Sequence, residues 1–140
     1  MICTFFGHRD APSTLEESLK ETVIRLIEQE KADVFYVGNQ GNFDGMVRQV
    51  LKALQKVYPH IRYAVVLAYM PTEKDKEQDF SDTLFSDGLE TVPRRAAIVA
   101  RNRWMVEKAQ YVIAYINVPF GGAADAVALA EKKGKTVIRL

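Results

Sequence analysis

The sequence predicts an α/β fold in which helices cover both faces of a five-stranded parallel sheet. Short apolar runs typical of buried strands alternate along the chain with amphipathic segments of helical period. The segments between strands are long enough for the right-handed crossover that each parallel pair needs. If the chain winds first to one side of strand 1 and then to the other, the strand order is 3-2-1-4-5. The winding direction then reverses between strands 1 and 4.

Length and composition limit the classes of function. The 140 residues suit one domain spanning 1–140, and 48% hydrophobic with 26% charged residues is typical of a folded globular chain. The net charge of +1 argues against a nucleic-acid partner, because sequence-independent binding relies on a positive field. No apolar run approaches the roughly 20 residues of a membrane span, and no secretory signal is visible. We therefore expect a cytoplasmic protein without a membrane partner.

The first half of the chain supplies three strands and two helices. Ser13 and Glu16 have the spacing of a capping box at the start of the first helix, and Pro59 lies just beyond the end of the second. Cys3 falls within the first apolar run, so it is predicted to be a small buried hydrophobe. The predicted elements are a strand over 2–6, a helix over 13–27, a strand over 33–38, a helix over 46–57 and a strand over 61–69.

The second half begins with a long excursion. Proline, a charged run and a Ser-Asp-Gly turn signal predict surface structure over 70–92. Pro93 suits the first turn of a helix that reaches Lys108, and Gly134 has the position of a helix C′ residue. The remaining predicted elements are a strand over 111–117, a helix over 122–133 and a strand over 136–140.

Three polar or glycine-rich segments follow strands 1, 2 and 4, which are neighbours in the predicted sheet. They occupy 7–10, 38–45 and 117–125. Because the carboxyl ends of parallel strands share one edge, these segments should meet at one site. Glycine lets backbone N–H groups approach a phosphate, and a helix N-terminus adds unpaired donors and a positive dipole end. Gly121 and Gly122 fit that role, although a tight turn without a ligand would also use them.

Two aspartates are the candidate catalytic groups. Asp44 lies where the second glycine-rich segment becomes a helix, so its carboxylate either accepts ribose hydroxyls or caps the helix. Asp125 falls in the first turn of the fourth helix, where a favourable interaction with the helix dipole is the simpler interpretation. Neither assignment follows from spacing alone.

Basic residues are concentrated in the predicted third helix. Asn102 falls between Ile98 and Met105 on the inward stripe, which favours Arg101 and Asn102 as ligand contacts. Guanidinium groups bind anions through forked hydrogen bonds, while a solvated charged face is the alternative. His8 is a ligand contact, an acid–base group or a loop residue. The arginines of this helix are Arg94, Arg95, Arg101 and Arg103.

The expected ligand site therefore combines three loops with one helix face. The spacings of metal sites, dinucleotide fingerprints, P-loops and nucleophile elbows do not occur, so no metal and no cofactor are predicted. The residues expected to contact a ligand are Gly7, His8, Arg9, Gly38, Asn39, Gly41, Asp44, Arg101, Asn102, Gly121 and Gly122.

These segments, in this order, resemble the SLOG superfamily, a Rossmann-like group that includes DNA processing protein A, the LOG phosphoribohydrolases and the YpsA-like proteins. The YpsA-like branch is the most similar. The residues that carry the resemblance are 6–9 (FGHR), 41–45 (GNFDG), 96–105 (AAIVARNRWM), 121–124 (GGAA) and the closing KKGKTVI. The resemblance covers nearly the whole chain. It implies binding or sensing of a nucleotide or a nucleotide-derived molecule such as ADP-ribose, in a homodimer.

The resemblance does not extend to the hydrolase motif. LOG enzymes carry PGGxGTxxE, and Ala128 stands where their glutamate would be; Arg101 matches their arginine, but Asn102 replaces the lysine beside it. We therefore expect ligand binding without LOG-type hydrolysis. One alternative is cleavage or transfer of an N-glycosidic bond, as in phosphoribohydrolases or deoxyribosyltransferases, with Asp44 or Asp125 as the carboxylate. Single-stranded DNA binding near Trp104 is another, against which the near-neutral charge argues.

Overall fold

A parallel sheet of six strands organises the part of the chain that the computed structural model describes, which is 1–68, 83–85 and 94–140 without the side chains of 83–85, 94 and 95. The strands are β1 (Ile2–Gly7), β2 (Val34–Val37), β3 (Arg62–Leu67), β4 (Thr83–Phe85), β5 (Tyr111–Tyr115) and β6 (Thr136–Arg139). The helices are α1 (Glu16–Gln29), α2 (Gly41–Val57), α3 (Arg94–Lys108) and α4 (Gly122–Lys132). The strand order is β4-β3-β2-β1-β5-β6.

The predicted α/β fold and the order of its five strands are confirmed. All pairs are parallel, and β1 lies between β2 and β5, so the winding direction reverses at β1 as expected. The difference is β4, which pairs with β3 at one edge and lies inside the segment predicted as a surface excursion. With only three residues, β4 is too short to show a strand period in the sequence. The rest of that excursion and Pro93 lie outside the described residues.

The core consists of two apolar layers, one on each face of the sheet. Neighbouring residues of β1 point to opposite faces: Phe5 packs into the cluster built with α1 and α2, and Phe6 into the cluster built with α3 and α4. Cys3 is fully buried in the first cluster, as predicted, and burial raises the pKa of its thiol. None of the described helices is both long and apolar enough to cross a membrane.

One predicted cap forms and another does not. Ser13 and Glu16 do not make a capping box, because Ser13–Leu15 is a 3-10 turn after Pro12 and no side chain caps α1. That prediction is wrong. Gly134 is confirmed as the C′ residue of α4, with φ of 76°. Its N–H donates to the Glu131 carbonyl at 3.1 Å and the next N–H donates to the carbonyl of Ala130 at 3.0 Å, which is the Schellman arrangement.

Candidate functional site

A cavity of about 290 Å³ lies at the carboxyl ends of β1 and β2, bounded by α3 and by the first residues of α4. This is the side of the sheet, and the reversal point, at which open α/β folds place ligands. The residues that line the cavity are Phe5, Phe6, Gly7, His8, Arg9, Gly38, Gln40, Asp44, Ile98, Arg101, Asn102, Met105, Gly122 and Ala123.

Most of the predicted ligand residues line this one cavity. They are Gly7, His8, Arg9, Gly38, Asp44, Arg101, Asn102 and Gly122. Asn39, Gly41 and Gly121 are not among its lining residues. Gln40 also lines the cavity and was not predicted; it lies within the segment 38–45, but its side chain is uncharged and it is not a glycine.

The two glycines outside the lining shape the loops instead. Gly41 has φ of 79°, and a Cβ there would lie 2.7 Å from the Cα of Arg9, so the segments after β1 and β2 touch at this point. The backbone N–H of Asn42 also donates to the carbonyl of Arg9 at 2.9 Å. Gly121 has φ of 101° and turns the chain into α4. Gly41 and Gly121 therefore contribute to the site by setting the course of the backbone rather than by lining the cavity.

Asp44 is a buried acid inside the cavity. Its side chain Oδ2 accepts a hydrogen bond from the backbone N–H of Gln40 at 2.9 Å, so it caps the start of α2 while also facing the cavity. Burial raises the pKa of Asp44 to about 6, even though that N–H and the charges of Arg101, Arg48 and Arg9 favour the ionised form. The two roles expected for Asp44 are therefore compatible.

Changing Asp44 to Asn should remove a pH dependence of stability. Between the ordinary pKa of 3.8 and about 6, the folded protein holds a proton that the unfolded chain has lost. Rising pH therefore lowers wild-type stability across this window, by up to about 3 kcal/mol. Relative to the wild type, Asp44→Asn should gain about that much in its unfolding free energy between about pH 4 and pH 7. Urea denaturation of both proteins measures this difference; a difference that stays constant with pH contradicts it.

Arg101 is held firmly in the wall of the cavity. The side chain is 3% exposed; Nε donates to Asn102 Oδ1 at 2.9 Å, and Nη1 donates to the Val66 carbonyl at 3.2 Å. A Cβ on Gly38 would lie 2.7 Å from Asp44 Oδ2 and 2.9 Å from Arg101 Nη1. Glycine at this position therefore gives the buried carboxyl and guanidinium groups the room that they occupy.

Arg9 and His8 form the more open side of the cavity. Arg9 is exposed, and its Nη2 donates to Gln40 Oε1 at 3.0 Å. His8 Nε2 lies 3.3 Å from the carbonyl oxygen of Val118, which ties the loop after β5 to the end of β1. These contacts bring segments from three strand ends to one mouth, as predicted.

Asp125 is not brought into the cavity. It is exposed and lines a neighbouring groove of about 160 Å³ between α3 and α4, together with Arg103; Asn102 and Gly122 line both this groove and the cavity. Its backbone N–H donates to the Gly121 carbonyl at 3.0 Å within the first turn of α4. This position fits the interpretation of Asp125 as a partner of the helix dipole better than a catalytic role in the cavity.

Trp104 belongs to the packing of α3 rather than to the cavity. Its ring lies 5.3 Å from that of Tyr36, and Lys108 Nζ lies 5.7 Å from the ring centre. The side chains of Arg94 and Arg95 fall outside the described residues, so the predicted arginine cluster is described only at Arg101 and Arg103. In the described part of the chain, no group of three His, Cys, Asp or Glu side chains is placed to hold a metal ion.

The fold is similar to that of solved structures of DNA processing protein A. DNA processing protein A from Helicobacter pylori matches with a TM-score of 0.69 and 14% identity, over 99% of this chain and 64% of that one. The Streptococcus pneumoniae protein of the same name matches with a TM-score of 0.56 and 15% identity, over 97% and 57%. This chain thus spans less than two thirds of either. No family model and no curated protein sequence matches it.

The likeness supports a Rossmann-like fold and corrects one expectation. The Helicobacter pylori protein binds single-stranded DNA. The expectation that a nucleic-acid partner is unlikely is therefore wrong for a chain of this fold. Single strands are bound by stacking on aromatic rings and by a local basic groove, neither of which requires a large net charge on the whole domain.

Proposed function

We propose that the cavity binds a nucleotide or a nucleotide-derived small molecule. The observation that carries this proposal is that a buried guanidinium group, a buried carboxyl group and the start of α4 share one cavity. At about 290 Å³ the cavity is just below the roughly 300–1,000 Å³ common for small-molecule sites. That size favours one nucleotide unit over a dinucleotide.

Each part of a nucleotide has a suitable group in the cavity. Backbone N–H groups at Gly122 and Ala123 begin α4, where unpaired donors and the helix dipole attract a phosphate. Arg101 supplies a fixed positive charge, and Asp44 supplies an acceptor for sugar hydroxyls. The apolar wall of Ile98 and Met105 suits the uncharged part of the ligand. The resemblance to the SLOG superfamily supports the same assignment and, with it, a sensing role and a homodimer.

Calorimetric titration with a panel of nucleotides tests the proposal. The panel includes nucleoside monophosphates and diphosphates, cyclic nucleotides and ADP-ribose, and we expect at least one to bind with a stoichiometry of one per chain. Absence of binding by every member at millimolar concentration overturns the proposal. The same mixtures, analysed for free base by chromatography, test N-glycosidic cleavage: base release that Asp44→Asn abolishes would make Asp44 catalytic.

Arg101→Met should weaken nucleotide binding by about 1.5–3 kcal/mol, roughly 10- to 150-fold, because a charged hydrogen-bonding contact is lost. Arg103→Met is the matched control, since Arg103 is exposed on the same helix and outside the cavity. Calorimetry gives the affinities, and thermal unfolding shows whether each variant remains folded. Equal affinities for the two folded variants would remove Arg101 from the ligand site.

Binding of single-stranded DNA is the second candidate function. The fold likeness to the Helicobacter pylori protein favours it, although at 14% identity only the fold is shared. The polarisation of a fluorescent single-stranded oligonucleotide at low salt measures it, because phosphate contacts are strongest there. Binding that free nucleotides displace would place the DNA in the cavity. No change in polarisation at low salt would exclude this candidate.

A further inference from the structure

Two of the large apolar side chains exposed in the described part of the chain lie near the start of α4. Phe120 is 69% exposed, two residues before Gly122, and Val99 is 56% exposed beside the groove that Gly122 also lines. Val57, which is 67% exposed, lies at the far end of α2. A phenylalanine this exposed presents a large apolar area that a ligand can cover.

The segment that carries Phe120 is connected on both sides to residues that line the cavity. On one side the Val118 carbonyl contacts His8 Nε2 at 3.3 Å, and His8 lines the cavity. On the other side Gly122 lines the cavity and begins α4. Gly121, with φ of 101°, turns the chain between Phe120 and the helix. Phe120 therefore lies within two residues of each of these points, although it is not itself among the residues that line the cavity.

We propose that Phe120 stacks on the base of the bound nucleotide. This inference rests on the proposed function and deepens it, since it identifies the ligand class as base-bearing nucleotides rather than sugar phosphates. The polar groups of the cavity, including Arg101 and Asp44, suit the phosphate and sugar. A base that extends toward the rim meets an aromatic face there, and aromatic stacking accepts any base because every base has a π-face.

Titration of AMP and of ribose 5-phosphate into four proteins tests this inference. The proteins are the wild type, Phe120→Ala, Phe120→Trp and the control Val57→Ala. Val57 is equally exposed but lies 16 residues along α2 from Gly41, about 24 Å from the site end of that helix. Calorimetry measures both ligands, and thermal unfolding confirms that each variant is folded.

Phe120→Ala is expected to weaken AMP binding about fivefold or more while leaving ribose 5-phosphate binding unchanged. Phe120→Trp should retain the wild-type affinity for AMP or exceed it, and Val57→Ala should equal the wild type for both ligands. Unchanged AMP affinity in Phe120→Ala overturns this inference alone, as does an equal loss for both ligands. If the wild type binds neither AMP nor any other nucleotide, the proposed function fails and this inference fails with it.

Discussion

Gly7→Ala is expected to destabilise the protein by about 3 kcal/mol or more, at the upper end of the range for overpacked cores. A Cβ at Gly7 would lie 2.3 Å from Cγ and 2.4 Å from Cδ2 of Phe43. Phe43 is fully buried and its ring stacks on that of Tyr115 at 6.5 Å, so it has no free space to move into. The methyl group must therefore push α2 away from the end of β1.

Gly45→Ala is the matched control for this substitution. Gly45 lies inside α2, and a Cβ there would meet only Arg48 Nη2, at the ordinary distance of 3.7 Å. Because alanine is the better helix former, this variant should gain up to about 1 kcal/mol. Urea denaturation of both variants measures the contrast. A Gly7→Ala protein as stable as the wild type would show that Phe43 does not pack against the end of β1.

Gly122→Val is expected to abolish nucleotide binding in a protein that still folds. The nearest atom to a Cβ at Gly122 is Asn102 Nδ2 at 3.8 Å, so a Cβ at this position meets only an ordinary van der Waals contact. A branched side chain there would fill the space through which a phosphate reaches the N–H groups at the start of α4. The loss of affinity should therefore exceed that of Arg101→Met.

Ala128→Val provides the matched control for Gly122→Val. Ala128 is exposed on α4 outside the cavity, so this change introduces the same side chain into the same helix without approaching the ligand. Thermal unfolding and nucleotide titration are measured on both variants. If Gly122→Val keeps both the wild-type melting temperature and the wild-type affinity, the ligand does not lie at this helix terminus.

The fold was predictable because its signals are local and strong. β1, β2, β3, β5 and β6 are apolar runs, and the handedness of crossovers leaves few strand orders to choose from. β4 was not predicted because three residues are too few to show the two-residue alternation of a strand. The capping box predicted for Ser13 and Glu16 does not form, because Pro12 is followed by a 3-10 turn whose geometry competes with a side-chain cap.

The sequence predicts those residues of the candidate site whose place in the fold follows from their position relative to a strand end. Residues at or just beyond the carboxyl ends of β1 and β2 must lie at this edge of the sheet, which brought Gly7 and Gly38 to one cavity; Asp44 joins them from the first turn of α2. The rotation of α4 about its own axis depends on its packing against α3, and in this structure Asp125 faces the neighbouring groove rather than the cavity. Gln40 lines the cavity beside Arg9, whose Nη2 donates a hydrogen bond to Gln40 Oε1; such a tertiary contact cannot be predicted from composition.

Amide NMR of the isotope-labelled protein during AMP titration tests the central claim most directly, because it locates the ligand without any substitution. We expect the largest shift changes at 7–9, 38–40 and 122–123, which border the cavity. Lys31, Asp33 and His60, which line a surface pocket away from the carboxyl edge of the sheet, should not respond. Largest changes at Lys31, Asp33 and His60, or no changes at saturating AMP and other nucleotides, would contradict a nucleotide site at the carboxyl ends of β1 and β2.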